Sequence, residues 1–208
     1  MSGTLVLLRH GQSEYNKKNI FTGWIDVELS AEGRLEALKA RELLKNYDFD
    51  VVYTSALKRA KDTALIVLGE KKTALISNSA LNERCYGELE GKNKDEVRAL
   101  FGAEQVQIWR RSLRERPPGG ESLEDTCERV LRFYDQEIKP KLAQGQIILV
   151  CAHGNSLRAL VMSLENLSEE EVLNLEIPTG VPIIYEFDAQ GRAYREKEEN
   201  KGALRDGK

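Results

Sequence analysis

The chain holds two histidines, and both follow the same kind of segment. Leu5-Val6-Leu7-Leu8 runs into Arg9-His10-Gly11, and Ile147-Ile148-Leu149-Val150 runs, two residues later, into His153-Gly154-Asn155. Short apolar runs bounded by polar residues read as buried strands, so each histidine is expected at the carboxyl end of a strand. In open α/β sheets, ligands bind beyond those ends, where the strand order reverses. If the two strands are parallel neighbours, both imidazoles meet over one crevice, and glycine after each lets backbone N–H groups come close to an anion. The chemistry in view is therefore work on an anionic ligand. The plain alternative is a pair of structural histidines; two matching strand-end settings, one with Arg9 beside it, weigh against that. A metal pair would need an Asp, Glu or Cys at ligand spacing, and none accompanies the histidines.

The elements that must position these residues alternate. Thr4–Leu8 reads as a strand. Ser30 can cap a helix through about Tyr47, with Leu35, Leu38 and Leu43 toward the core. Val51–Thr54 is a second strand, Ser55 can open a helix that stops near Gly69, and Thr73–Ser77 is a third strand. Asn93–Phe101 and Glu104–Ser112 read as helices before Pro117-Pro118-Gly119-Gly120 breaks the chain. Ser122 starts a helix through about Lys139. Gln146–Cys151 is the most buried-looking strand, Ser168-x-x-Glu171 is a capping box for a short helix, and Pro182–Phe187 with Arg192–Glu196 forms a final hairpin. Strands alternating with helices imply an α/β fold, a single domain whose mostly parallel sheet carries helices on both faces. The domain is expected over residues 1–197, with 198–208 a polar, mobile tail.

Bulk properties exclude several classes. At 208 residues and 41% hydrophobic, the chain can build one substantial core. No apolar run approaches a membrane span, and the N-terminus lacks the basic region and cleavage site of a signal peptide. Cys85, Cys127 and Cys151 form no CxxC pair, an odd set that points to a reducing cytoplasm, with Cys127 and Cys151 as packing residues. A net charge of -3 does not invite nucleic acid, which makes a local basic cluster informative.

Leu8-Arg9-His10-Gly11-Gln12-Ser13 resembles the signature of the histidine phosphatase superfamily. Phe21-Thr22-Gly23-Trp24, Leu81-Asn82-Glu83-Arg84, Trp109-Arg110-Arg111, His153-Gly154-Asn155-Ser156-Leu157-Arg158 and Ile177-Pro178-Thr179-Gly180 are similar to the cofactor-dependent phosphoglycerate mutases within it. The similarity runs from the first strand to about Asp188, and the whole set is specific to the mutase branch where Arg-His-Gly alone is not. The resemblance implies a phosphoglycerate mutase-like fold. It implies interconversion of 3-phosphoglycerate and 2-phosphoglycerate, in glycolysis and gluconeogenesis, primed by 2,3-bisphosphoglycerate and without a metal. Phosphoglycerates would be the small-molecule ligands, with no nucleic acid and no membrane as partner; a homodimer is the assembly common in the family.

The resemblance also assigns roles. His10 would attack phosphorus as a neutral imidazole, kept neutral by Arg9 and Arg59 and with its other ring nitrogen bonded to a backbone carbonyl. Arg9, Arg59, Asn16 and His153 would bind the phosphoryl oxygens. Arg59 lies in Ser55-Ala56-Leu57-Lys58-Arg59, at a helix start. Glu83 would be the general acid–base. Ser13, Thr22, Gly23, Gly154 and Asn155 would be further substrate-binding residues. Arg84, Tyr86, Lys94, Arg110 and Arg111 would hold a second anionic group, the contact that separates a mutase from a phosphatase. A phosphatase using the same His10, and a catalytically dead phosphate-binding module, are the competing readings; the dead module should have lost His10, Glu83 or His153. Three features depart from the family pattern: a short Ser112–Ser122 segment, a charged tail after Glu196, and Cys85 where a larger ring-bearing residue is common. A weak lid at loop and tail would favour leakage to water.

Overall fold

A computed structural model describes residues 3–196. The strands are β1 (Thr4–Arg9), β2 (Val51–Thr54), β3 (Ala74–Ser77), β4 (Ile147–Ala152), β5 (Pro182–Phe187) and β6 (Ala193–Arg195). They form one sheet in the order β3-β2-β4-β1-β5-β6. β1, β4, β2 and β3 pair in parallel, and β5 and β6 join antiparallel. β4 enters between β1 and β2, with Arg9 opposite Ala152 and Thr54 opposite Cys151. The carboxyl ends of three buried strands therefore finish level, at the point where the chain doubles back on its own order. That is where a ligand crevice forms in such sheets.

The helices are α1 (Glu14–Lys17), α2 (Ala31–Leu43), α3 (Lys58–Leu68), α4 (Lys94–Phe101), α5 (Ala103–Arg111), α6 (Leu123–Phe133), α7 (Lys139–Ala143), α8 (Gly154–Glu165) and α9 (Glu169–Asn174). A π-type turn, Tyr134–Ile138, joins α6 to α7. Alternation along the strands splits the core in two. Leu5, Leu7, Tyr53, Ile148 and Val150 face Val130, Leu157 and Leu160 of α6 and α8. Val6, Leu8, Val52, Leu149 and Cys151 face Ala40, Leu44, Ala64 and Val67 of α2 and α3. The expected two-faced, mostly parallel architecture is present. A third, small cluster of Phe21, Leu89, Val97 and Val106 supports α4 and α5 beside the sheet ends. No helix among the described residues is long and apolar enough to cross a membrane. The expected tail, 198–208, lies outside the described residues.

Several expectations are corrected. Leu35, Leu38 and Leu43 are about half exposed, and α2 instead turns Gly33, Ala37 and Ala40 to the sheet. The reason is distance: α2 packs so closely that only small residues fit. A Cβ on Gly33 would lie 2.0 Å from the carbonyl oxygen of Gln12, and one on Gly11 would lie 2.1 Å from the carbonyl oxygen of Gly33. The helix opened by the β2 turn starts at Lys58 rather than Ser55; its first N–H is received by Asp26 from another loop, at 2.7 Å. α1 and α8 were not expected at all. In α8 polarity does not mark exposure, since Gly154 through Val161 are all buried, Asn155, Ser156 and Arg158 among them. Cys127 and Cys151 are buried free thiols, as expected.

The contact between α2 and the loop after β1 fixes the backbone beside His10. Gly33→Ala should destabilise the protein by about 1–3 kcal/mol through overpacking, although alanine is the better helix former. Leu38→Gln on the exposed face should stay within about 0.5 kcal/mol. Urea unfolding of both variants checks the pair; a stabilised Gly33→Ala would refute the close packing.

Candidate active site

His10 and His153 meet where β1 and β4 end, with ring centroids 4.9 Å apart. Both are buried. The loop carrying His10 is tied on three sides: Gly11 N–H donates to Thr63 Oγ1 at 3.1 Å, Gln12 N–H donates to Glu36 at 2.7 Å, and Gln12 O receives Ser30 N–H at 2.9 Å. Gly11 therefore serves a close backbone approach and spends its N–H on Thr63, not on an anion. Only Gly154, the first residue of α8, keeps the anion-facing position expected of both glycines. The partial positive charge of the α8 N-terminus then lies at the cavity.

His10 Nδ1 lies 2.6 Å from the Gly11 carbonyl oxygen. A carbonyl only accepts, so Nδ1 carries the proton and Nε2 the lone pair. Burial first, then the charges of Arg59 and Arg9, hold the imidazole well below its ordinary pKa of 6.5, against a smaller opposing pull from the Gly11 carbonyl. His153 is lowered in the same way, by burial and then by Arg59, His10, Arg9 and Arg129. His10 is thus a neutral ring with a nucleophilic nitrogen at neutral pH.

The two arginines are held by backbone carbonyls instead of carboxylates. Arg9 donates from Nη1 to Ile177 O at 2.8 Å. Arg59 donates to Ile25 O at 3.0 Å and to Gly23 O at 2.7 Å. These bonds orient each guanidinium without a carboxylate in direct contact, and each keeps a buried, unpartnered Nε. Burial lowers Arg59 to about 10, still protonated at neutral pH. Thr22 Oγ1 and His153 Nδ1 are likewise buried without a partner. Unsatisfied buried polar groups are costly; Arg9, Thr22 and Arg59 line one cavity with His10, His153 lies against the His10 ring, and together they mark a ligand position.

Glu83 is fixed from both its ends. Its Oε1 receives Arg84 N–H at 2.8 Å and Asn155 N–H, at the start of α8, at 3.1 Å. Its backbone carbonyl receives Trp24 Nε1–H at 2.5 Å and Arg129 Nη2 at 2.9 Å. Glu83 lines the same cavity as His10, Arg9, Arg59, Asn16, Thr22, Gly23, Tyr86, Lys94, Arg110, Arg111, Gly154 and Asn155. Asn16 turns its carboxamide oxygen to Ser13 N–H and Oγ, and Asn155 Nδ2 donates to Tyr86 OH at 3.3 Å. Lys94, over the Phe21 ring, falls to about 8 through burial and the neighbouring charges of Arg110, Arg9 and Arg98.

Three of the expected residues do not line the cavity. His153 stands behind it, with Nε2 on Ser55 Oγ. Ser13 caps α1 in a capping box with Asn16. Arg84 is fully buried and donates to Glu121 O at 2.7 Å and Glu115 O at 2.9 Å, so it holds the short 112–122 segment against the wall. Two further wall residues escaped sequence reading. Arg158 bonds Leu175 O and Asn155 Oδ1, and Glu176 pairs with Arg111 and lies 3.8 Å from Arg158. Arg158 is the last residue of the His153 segment, and Glu176 immediately precedes Ile177-Pro178-Thr179-Gly180; the motifs carried the signal. No group of three or more His, Cys, Asp or Glu able to hold a metal occurs among the described residues.

Two pH responses follow from these shifts. As pH falls below about 6.5, the unfolded chain takes up protons on both imidazoles while the folded chain does not, so stability should fall with pH. Thermal unfolding between pH 6.5 and 5 should show a positive slope of stability with pH that shrinks in His10→Gln; an unchanged slope would refute the buried neutral ring. Lys94 loses its charge above about pH 8, so inorganic phosphate should bind more weakly there. Calorimetry near pH 8 in two buffers of different ionisation heat should register proton uptake on phosphate binding, and Lys94→Gln should abolish it.

A family model described as "Histidine phosphatase superfamily (branch 1)" matches residues 5–200. A protein of Parvibaculum lavamentivorans named 2,3-bisphosphoglycerate-dependent phosphoglycerate mutase is 54% identical, over 95% of this chain and 96% of its own. A protein of the same name from Bartonella quintana is also 54% identical, over 91% of this chain and 94% of its own. Among solved structures, Bacillus stearothermophilus YhfR superposes with a TM-score of 0.85 at 26% identity, covering 94% of this chain and 96% of its own.

Proposed function

The chain belongs to the histidine phosphatase superfamily, branch 1, and from that premise we propose that it is a 2,3-bisphosphoglycerate-dependent phosphoglycerate mutase. It interconverts 3-phosphoglycerate and 2-phosphoglycerate through a phosphorylated His10 and so serves glycolysis and gluconeogenesis. The observation that carries the chemistry is the Nδ1 bond of His10 to the Gly11 carbonyl, which leaves a lone pair on Nε2 in a basic cavity. The substrate class is supported by the name the relatives share.

The orphaned donors fit a phosphorylated, multiply anionic ligand. Arg9 Nε, Arg59 Nε, Thr22 Oγ1 and His153 Nδ1 would hold a phosphoryl group at His10, together with the Gly154 N–H. Lys94, Arg110, Arg111 and Arg158 would hold a second anionic group. 2,3-Bisphosphoglycerate, when bound, supplies the phosphoryl group that primes the enzyme. His10 Nε2 forms a bond to phosphorus as the P–O bond breaks, and Glu83 delivers a proton to the departing oxygen. In the reverse transfer Glu83 takes the proton back from the attacking hydroxyl. Charge spread over the equatorial oxygens meets fixed guanidinium and N–H groups, which supply the positive charge that a metal supplies in other phosphoryl-transfer enzymes. Arg84 acts through the wall that it holds. The catalytic domain runs over residues 1–197 and acts in the cytoplasm.

One assay tests this reading. In EDTA, 3-phosphoglycerate should convert to 2-phosphoglycerate with a rate that depends on trace 2,3-bisphosphoglycerate, with little free phosphate. His10→Ala should lower the rate by at least about 10⁴-fold and carry no acid-labile phosphate. Phosphate release without isomerisation would make the enzyme a phosphatase, with His10 still the nucleophile.

A further inference from the structure

The two nitrogens of the His153 ring meet different surroundings. Nε2 lies 2.7 Å from Ser55 Oγ, while Nδ1 is buried and makes no hydrogen bond; the Ser156 N–H of the first turn of α8 approaches the ring without hydrogen-bond geometry. Ser55 is itself fully buried, one residue beyond β2 and level with the ends of β4 and β1. Its Oγ already receives the Leu57 N–H at 3.2 Å. A serine hydroxyl accepts through two lone pairs but has a single hydrogen to give. Among the described residues, His153 Nε2 is the acceptor bonded to that hydroxyl. Were Nε2 protonated instead, Ser55 would keep a buried hydrogen with nothing to receive it, a state that folded proteins avoid.

We propose that Ser55 is a positioning residue that donates its hydroxyl hydrogen to His153 Nε2, and so fixes the neutral ring as the tautomer protonated at Nδ1. The two histidines then present opposite faces of the same chemistry. On His10 a carbonyl, which can only accept, forces the proton to Nδ1 and frees a lone pair on Nε2. On His153 a hydroxyl that already accepts gives its hydrogen to Nε2 and frees a donor at Nδ1. A bare Nδ1 would set a lone pair against the negative charge that builds on the phosphoryl oxygens; an Nδ1–H stabilises that charge. The buried rings gain this donor without taking a positive charge, which Arg9 and Arg59 already oppose. The catalytic consequence rests on the mutase reading above; the proton's position does not.

The test uses the full chain labelled with 15N at histidine. The sequence contains only two histidines, so His10→Gln assigns the spectrum. At pH 7.5 the 15N shifts should show both rings neutral and both protonated at Nδ1. Ser55→Ala should convert His153 to a mixture of tautomers and leave the His10 signals in place. It should cut kcat for isomerisation by about ten- to a hundredfold with KM within about twofold. Ser55→Thr, which keeps the hydroxyl, should hold the tautomer. Protonation of His153 at Nε2 in the wild-type protein overturns the proposal, as does an unchanged tautomer in Ser55→Ala. A wild-type protein with Nδ1–H on both rings that fails to isomerise phosphoglycerate faults the functional reading and leaves the assignment of the proton standing.

Discussion

The site depends on positive charge that is buried, oriented and bonded directly to no carboxylate. Arg9 and Arg59 sit at the end of the sheet, and their direct partners are the carbonyl oxygens of Ile177, Ile25 and Gly23. Carboxylates at those positions would satisfy the guanidinium groups and leave nothing for a ligand. Backbone carbonyls hold the same geometry through dipoles, and the charge stays available. The neutral state of His10 follows first from burial of its ring and then from that arrangement, since Arg59 and Arg9 disfavour a further cation beside them. The nucleophile and its electrostatic support are thus one device.

Holding such charge requires rigid backbone from distant parts of the chain. Loop 21–26 supplies carbonyls to Arg59, and the segment before β5 supplies one to Arg9. The carbonyls of Ala80, Asn82 and Glu83 converge on the Arg129 guanidinium, which also pairs with Glu121. Glu121 in turn receives Cys85 N–H. A single arginine of α6 therefore clips the whole segment carrying Glu83 to the helical layer beneath it. Trp24 adds a second tie from the opposite rim. The short 112–122 segment belongs to this framework: Arg84 holds two of its carbonyls, and Arg116 grips Asp125 at the head of α6.

The sequence was most legible where burial and chemistry coincide. Both histidine strands and the Ser30 and Ser168 caps could be read from short patterns, whereas the parallel pairing of the two strands was only a condition there and is a finding of the fold. It misled where packing distance decides. Leu35, Leu38 and Leu43 looked like the core face of α2, yet Gly33, Ala37 and Ala40 occupy it because the helix lies against backbone. α8 was missed because its first two turns, Gly154 through Val161, are buried whatever their polarity, Asn155, Ser156 and Arg158 included. Arg84 shows a further limit. A motif gives a residue's identity and neighbours in the chain, but whether the side chain enters the cavity or turns to Glu115 and Glu121 depends on a segment thirty residues away.

Glu176 shows how the basic wall is kept in order. It pairs with Arg111 and approaches Arg158, while the carbonyls just before it, of Leu173 and Leu175, receive the same two arginines. Its side chain is 69% exposed, so the pairing is screened and weak compared with what a desolvated phosphate would gain. Before ligand binds, the carboxylate keeps the two cations from splaying apart in mutual repulsion. Because that carboxylate reaches solvent, its replacement by another anion at the two arginines would cost little. The inner arginines are bonded to backbone carbonyls instead of to a mobile carboxylate. Charge at the reacting phosphorus is therefore fixed in advance, and charge at the rim is exchangeable. That division suits an enzyme that must hold its transferring group rigidly while the rest of the ligand turns over.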